Sequence, residues 1–204
     1  MKPALPRVHG ITDDRVARRA DLDVVARELA AAVGTDLALH ARGRGLSGRE
    51  HHALALRLAA CTPARLFVND RLDVALAAGA IGVQLRRESL TPADARRIEA
   101  RWWIGASVHG LAEAEAARVA GADYVVIGPV YATASHPDRT ALGLAAVRAV
   151  AALGLPTIVI GGVTPDRVAE LRAAGAYGVA AIRALWDATD PAAAARGFRE
   201  GWRS

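Results

Sequence analysis

Cysteine is almost absent from this sequence. Cys61 is the only one, so no internal disulfide can form, and a reducing, cytoplasmic setting is expected. Lysine is as scarce, with Lys2 alone among 26 basic residues; any chemistry that needs an amine must do without one over the rest of the chain. Aromatic side chains make up 4%, too few for the stacking platforms that interleave with basic patches in nucleic-acid binders. The net charge of +5 does not restore that reading. Acidic residues interleave with the arginines, and the pairs Arg18-Arg19, Arg86-Arg87 and Arg96-Arg97 lie far apart, as on a solvated, arginine-biased surface. Long hydrophobic runs are missing too. The best, Val150 to Val163, is broken by Gly154, Pro156 and Gly161-Gly162, so no bilayer span is expected. The opening Met1-Lys2-Pro3 lacks the apolar stretch of a secretory signal. These absences leave a soluble cytoplasmic protein as the expectation, with neither nucleic acid nor membrane as its partner.

What is present is apolar residues, 52% of 204, enough for a sizeable core in one domain over residues 1–204. A short repeat organises them. Ala77-Ala78-Gly79-Ala80-Ile81-Gly82-Val83, Val119-Ala120-Gly121-Ala122-Asp123-Tyr124-Val125 and Ala173-Ala174-Gly175-Ala176-Tyr177-Gly178-Val179 share one grammar. Each reads as a helix end, a glycine in a left-handed turn, then a β-branched run. Apolar runs begin near Val8, Leu37, Leu66, Gly82, Trp103, Tyr124, Thr157 and Gly178. Helical spacing fills Asp21–Val33, Glu50–Ala60 and Pro165–Ala174. Ser47 with Glu50 reads as a capping box, and Thr164-Pro165 as a helix start. About eight β/α pairs predict a single-domain (β/α)8 TIM barrel with short loops. A doubly wound sheet is the alternative.

In a barrel, function sits on the loops that follow the strands. Gly161-Gly162 follows an apolar run and precedes a helix start, which suits either a phosphate cradle or a tight turn. Counted from Val8 it is the strand-seven loop, and Ile182-Arg183 is the strand-eight loop, where barrels often hold phosphate. Arg42 and Arg44 suit a second anionic group, or a solvated surface. Asn69-Asp70 could hold Mg²⁺ alongside substrate phosphates, or Asp70 could cap the next helix. His9, His40, His109 and His136 fall near predicted strand ends, fit for proton transfer or for structural hydrogen bonds. His51-His52 looks like helix surface. No paired Cys/His spacing supports zinc. Trp102-Trp103, Trp186 and Trp202 could supply core, or the interface of a homo-oligomer.

Four stretches in order, Asn69-Asp70-Arg71 with Asp73-Val74-Ala75-Leu76, Gly105-Ala106-Ser107-Val108-His109, Gly121-Ala122-Asp123-Tyr124 into Gly128-Pro129-Val130-Tyr131-Ala132-Thr133, and Ile160-Gly161-Gly162-Val163-Thr164-Pro165, resemble the thiamine phosphate synthase/TenI superfamily. The resemblance implies a TIM barrel and a thiazole phosphate site. Carried over, the synthase pattern keeps Arg42, Asn69, Asp70, Ser107, Thr133 and Gly161-Gly162, with Ser135 in the same long loop. It departs at His40, Arg44, Arg86-Arg87, Ser89 and His136. Ser89 stands where the pattern has the second metal carboxylate, so the resemblance implies Mg²⁺ at Asp70 only if the synthase reaction is kept.

The TenI branch is similar in Val8-His9-Gly10-Ile11-Thr12-Asp13-Asp14, in His40 before Arg42, in Gln84-Leu85 and in Ser89-Leu90-Thr91-Pro92. It implies a metal-independent thiazole phosphate tautomerase without cofactor. Pro129 replaces that branch's acid–base histidine, so His136 and His40 are the catalytic candidates at the mouth. The leading expectation is therefore the tautomerase. The alternatives are thiamine phosphate synthase, which couples aminopyrimidine methyl diphosphate to thiazole phosphate, and a non-catalytic regulatory binder of thiazole phosphate.

Overall fold

The computed structural model describes residues 2–133 and 140–202. Eight parallel strands run β1 Val8–Ile11, β2 Leu37–Ala41, β3 Arg65–Asn69, β4 Gly82–Leu85, β5 Trp103–Val108, β6 Tyr124–Ile127, β7 Thr157–Ile160 and β8 Gly178–Ala181. Each pairs with its sequence neighbour, and β8 returns to β1 through Val8–Val179 to close the barrel. Closure excludes the open doubly wound sheet. Around it lie α1 Asp14–Ala17, α2 Leu22–Val33, α3 Gly48–Ala59, α4 Leu72–Ala77, α5 Pro92–Ile98, α6 Leu111–Val119, α7 Gly143–Ala151, α8 Val168–Ala173, α9 Arg183–Trp186 and α10 Pro191–Glu200. Among the described residues no helix is long and apolar enough to cross a membrane.

The strands alternate with period two between two cores. Leu37, Leu39, Val68, Val83, Ile104, Val125 and Val159 pack outward against the helices. Ala38, Phe67, Tyr124, Val126, Ile158 and Ala180 fill the barrel interior. Fitting Tyr124 inside requires a glycine beside it, because a Cβ on Gly105 would lie 2.2 Å from its ring. The interior is lopsided in chemistry. Strands β1 to β5 contribute His9, His40, Asn69, Gln84 and Ser107, whereas β6 to β8 contribute mainly apolar side chains.

The segment before β1 seals the N-terminal end of the barrel. Leu5 packs inside it, its carbonyl accepts from the Tyr177 hydroxyl at 2.7 Å, and the Pro3 carbonyl accepts from Trp103 Nε1 at 2.9 Å. Trp102 and Trp186 are buried, so these two supply core. The C-terminal end stays open.

The helix starts follow their chemistry. Ser47 Oγ accepts from Glu50 N and Glu50 Oε2 accepts from Ser47 N, completing the expected capping box of α3. Thr91 and Asp190 cap α5 and α10, each followed by proline. Two expectations need correction. Pro165 opens a 3-10 turn, Pro165–Arg167, before α8, and Thr164 makes no side-chain cap. His51 is buried rather than on the surface, its Nε2 donating to the Ala41 carbonyl at 2.9 Å.

Candidate active site

The open end holds a cavity of about 1140 Å³. Its floor is made by interior side chains of the strands: Ile11, Asn69, Gln84, Ser107, Val126, Ile160 and Ala180. Its wall is made by the loops after the strands, and these differ from one side to the other.

On the β7–β8 side the wall is backbone. Gly161 and Gly162 both line the cavity and have φ of +98 and +65, a region that favours glycine. Space also demands glycine there. A Cβ on Gly161 would lie 2.6 Å from Pro129, and one on Gly162 would lie 2.6 Å from the Ala132 carbonyl. The turn is tied down from outside, since Arg167 donates to the Gly162 carbonyl at 2.5 Å and stacks 4.2 Å over the Tyr131 ring. Tyr131 N in turn donates to the Gly161 carbonyl at 3.0 Å. Beside it, Ile182 and Arg183 open the short helix α9 into the same cavity, where first-turn N–H groups have no intrahelical acceptor. Exposed backbone N–H groups on a rigid, small-residue rim suit an anion the size of a phosphate.

On the β2–β4 side the wall is arginine. Arg42 and Arg44 follow β2, Arg86 and Arg87 follow β4, and all four line the cavity. Thr12, fully buried after β1, grips the first of these loops: its Oγ1 accepts from Arg42 N at 2.8 Å and reaches the Arg42 carbonyl at 2.7 Å. Asp14 Oδ1 accepts from Gly45 N at 2.9 Å and fixes the same loop below Arg44. Among the described residues Arg42 and Arg44 make no ion pair. Arg42 is pulled below the ordinary arginine value first by burial and then by repulsion from Arg44; Asp13 offsets part of this, and Arg86 adds to it. Crowded guanidinium groups around a cavity call for an anion.

Between the walls, a chain of buried polar groups fixes the floor. His9 Nε2 lies 2.9 Å from the Pro6 carbonyl, His9 Nδ1 lies 2.8 Å from His40 Nε2, and His40 Nδ1 lies 3.1 Å from Asn69 Oδ1. The Pro6 carbonyl only accepts, so His9 carries its proton on Nε2 and its Nδ1 must accept. His40 then donates from Nε2, and its own Nδ1 becomes an acceptor. Burial holds His9 down at about 4 and His40 well below 6.5, so no extra proton is held at neutral pH. An acceptor Nδ1 cannot bond to Oδ1, so the tautomers require the Asn69 amide to be flipped, with its NH₂ facing His40 and its carbonyl free as an acceptor. Next to it, Gln84 Nε2 donates to Ser107 Oγ at 2.9 Å.

The expected site residues are thus distributed as follows. Arg42, Arg44, Asn69, Ser107, Thr133, Gly161, Gly162, Ile182 and Arg183 all line one cavity. Ser135 and His136 lie outside the described residues. His40 requires correction: it sits inside the barrel with no exposed surface, not at the mouth, and burial keeps it from titrating near neutrality. Asp70 also departs from expectation. It does not cap α4, whose N-cap is Arg71; its carboxylate instead meets Arg86 and Ser89. Thr12, Arg86, Arg167 and Tyr131 were not singled out from the sequence for these contacts. The arginine pair after β4 was the available signal for one of them.

A closed (β/α)8 barrel whose cavity is rimmed by backbone after β7 and β8 has the form in which barrel enzymes often hold a phosphate. The family profile described as thiamine monophosphate synthase matches residues 8–185, and the chain belongs to that family. It is 44% identical over 196 residues to a thiamine-phosphate synthase of Methanoculleus marisnigri, covering 93% of this chain and 92% of the relative. A thiamine-phosphate synthase of Chlorobium phaeobacteroides is 37% identical over 206 residues, covering 98% of each. Among solved structures, a thiamine phosphate pyrophosphorylase from Pyrococcus furiosus superimposes with a TM-score of 0.83 at 31% identity, covering 97% of this chain and 95% of that one. A 3-hexulose-6-phosphate synthase, at 20% identity and a TM-score of 0.72, shares the fold alone.

These relatives overturn the tautomerase expectation. Those named are synthases, and the structure gives a physical reason for preferring them. Pro129 cannot titrate, and His40, one of the two substitutes, is walled into the barrel. The non-catalytic alternative yields to an enzyme as well.

Proposed function

We propose that the chain is a thiamine-phosphate synthase, joining an aminopyrimidine methyl diphosphate to thiazole phosphate with release of diphosphate. One observation carries this reading: a single cavity has anion-receiving groups on two opposed sides. The glycine cradle lies on the β7–β8 side and the arginines on the β2–β4 side, and β3 faces β7 across an eight-stranded barrel. A condensation of two anionic substrates needs that division.

The chemistry assigned to the residues follows. Thiazole phosphate lies with its phosphate on the N–H groups of the Gly161–Gly162 and Ile182–Arg183 turns and its ring against Val126 and Ile160. The diphosphate lies among Arg42, Arg44 and their neighbours. Asn69, Gln84 and Ser107 meet the polar edge of the aminopyrimidine, with the Asn69 carbonyl accepting from its amino group. The thiazole nitrogen gives its electron pair to the methylene carbon as the bond to the diphosphate oxygen breaks, and the pair on that bond leaves with diphosphate. No proton moves, so a neutral, buried His40 is no handicap. Its work is to hold the Asn69 amide in one orientation. The reaction belongs in the cytoplasm, where Cys61 stays reduced.

The cradle provides the test. Gly162→Ala places a side chain in a left-handed turn against the Ala132 carbonyl, and is expected to raise KM for thiazole phosphate by about tenfold or more. The KM for the diphosphate substrate should change far less. Equal effects on both substrates, or on neither, contradict this division of the cavity.

A further inference from the structure

The ends of β3 and β4 bring Asp70, Arg86 and Ser89 together, and of the three Arg86 lines the cavity. Asp70 has φ of +62, an uncommon conformation for a residue with a side chain, and its N–H is held by the Gln84 carbonyl at 3.0 Å. Its carboxylate accepts three hydrogen bonds. Oδ1 accepts from Arg86 N at 3.0 Å and from the Ser89 hydroxyl, and Oδ2 accepts from Arg86 Nε at 2.5 Å.

The family implies Mg²⁺ at this place, and the residues present do not fit it. Mg²⁺ wants unencumbered hard oxygens in an octahedral shell. Here Asp70 is the one carboxylate of the three, and both its oxygens already accept from Arg86 or Ser89; Glu88 and Glu113 line the cavity nearby but form no cluster with it. Ser89 spends its proton on Asp70 and brings no charge. A divalent ion on Asp70 would also stand against the Arg86 guanidinium, cation beside cation. Among the described residues no three His, Cys, Asp or Glu side chains gather into an alternative site.

We infer that Arg86, seated on Asp70, is the cation that receives the substrate's diphosphate in place of a divalent metal. The inference rests on the synthase reading and names the device by which this chain meets that substrate. Asp70 takes only the backbone N–H and Nε of Arg86; among the described residues its two terminal amino groups bond to nothing. A planar guanidinium with that edge free matches two phosphate oxygens at once. Arg42 and Arg44 stand on the adjacent loop, close enough that Arg44 and Arg86 both press on the charge of Arg42. An incoming diphosphate relieves that repulsion and bridges the loops after β2 and β4.

Calorimetric titration with inorganic diphosphate tests this, in excess EDTA and again in excess Mg²⁺. The wild-type chain is expected to bind in EDTA, with affinity changing less than about threefold when Mg²⁺ is added. Arg86→Met should weaken binding in EDTA by about tenfold or more, and Arg86→Lys should recover part of the loss, since it restores the charge but not the fork. A paired Arg86→Gly and Ser89→Asp variant frees Asp70 and adds a second carboxylate, so its binding should become Mg²⁺-dependent. Wild-type binding only with Mg²⁺, or Arg86→Met binding like wild type in EDTA, overturns the inference. Thiamine phosphate formation in the same samples separates the two levels. Formation that survives EDTA supports Arg86, and formation only with Mg²⁺ overturns it. Its absence under both conditions overturns the synthase reading, with the titration alone then deciding on Arg86.

Discussion

Two buried histidines make a quantitative commitment at the scale of single residues. His9 is held at about 4, against an ordinary 6.5, chiefly by burial, and the hydrogen bond to Pro6 only partly offsets it. His40 is shifted the same way, by burial first and then by His9. The unfolded chain therefore takes up these protons first. Stability is full above about pH 6.5 and falls as pH drops toward 4, by on the order of 3 kcal/mol for His9 alone. Urea unfolding at pH 7 and pH 4.5 measures it, and a His9→Asn, His40→Gln double variant should show a flatter dependence. Nitrogen chemical shifts give a second reading that does not depend on the variant folding: at pH 6 both rings should be neutral with the proton on Nε2. A charged His40 at that pH would reverse the assigned orientation of Asn69. Single residues were also where the sequence was least informative. The position of His40 near a strand end suggests the mouth, but its even place in β2, beside Ala38, points it down the barrel axis. Likewise Asp70 beside a helix start looks like a cap. Only the neighbouring strand end shows that Arg86 claims its carboxylate.

At the scale of elements the chain is far more legible. The three helix–glycine–strand joints appear as expected, with Gly79, Gly121 and Gly175 at φ of +66, +87 and +91, and the strands begin at or within one residue of the positions read from apolar runs. Both follow from local rules, a left-handed turn that favours glycine and a period-two strand buried on both faces. Helix starts are legible for the same reason. Ser47→Ala removes the capping box of α3 and is expected to cost about 1 kcal/mol in unfolding free energy. The loop it adjoins is held separately, by Thr12 and Asp14, so kcat should change by less than about twofold. A large loss of activity without a loss of stability would show that α3, rather than Thr12, positions Arg42. Thr12 itself was visible only as a polar residue after a strand, because its partners lie about thirty positions away in β2 and the loop beyond it.

At the scale of the whole molecule, the barrel gathers into one cavity what the sequence scatters over nearly its full length. Nine of the expected site residues line it, on six different strand-end segments. That much was legible because a (β/α)8 barrel has only one functional face. The reaction was not. Ser89 and Pro129 argued against synthase and tautomerase alike, and reading Ser89 as a loss assumed that only a carboxylate and a metal can receive diphosphate. The structure seats the Arg86 guanidinium on Asp70, beside Ser89. In the proposed reaction two anionic substrates meet and condense in this cavity. Its most direct test is a single-turnover reaction of purified protein with aminopyrimidine methyl diphosphate and thiazole phosphate, in parallel with and without Mg²⁺, quantifying thiamine phosphate and diphosphate together. Both products are expected, in equal amounts and at the same rate with and without Mg²⁺. Neither product in either condition would contradict the proposed reaction.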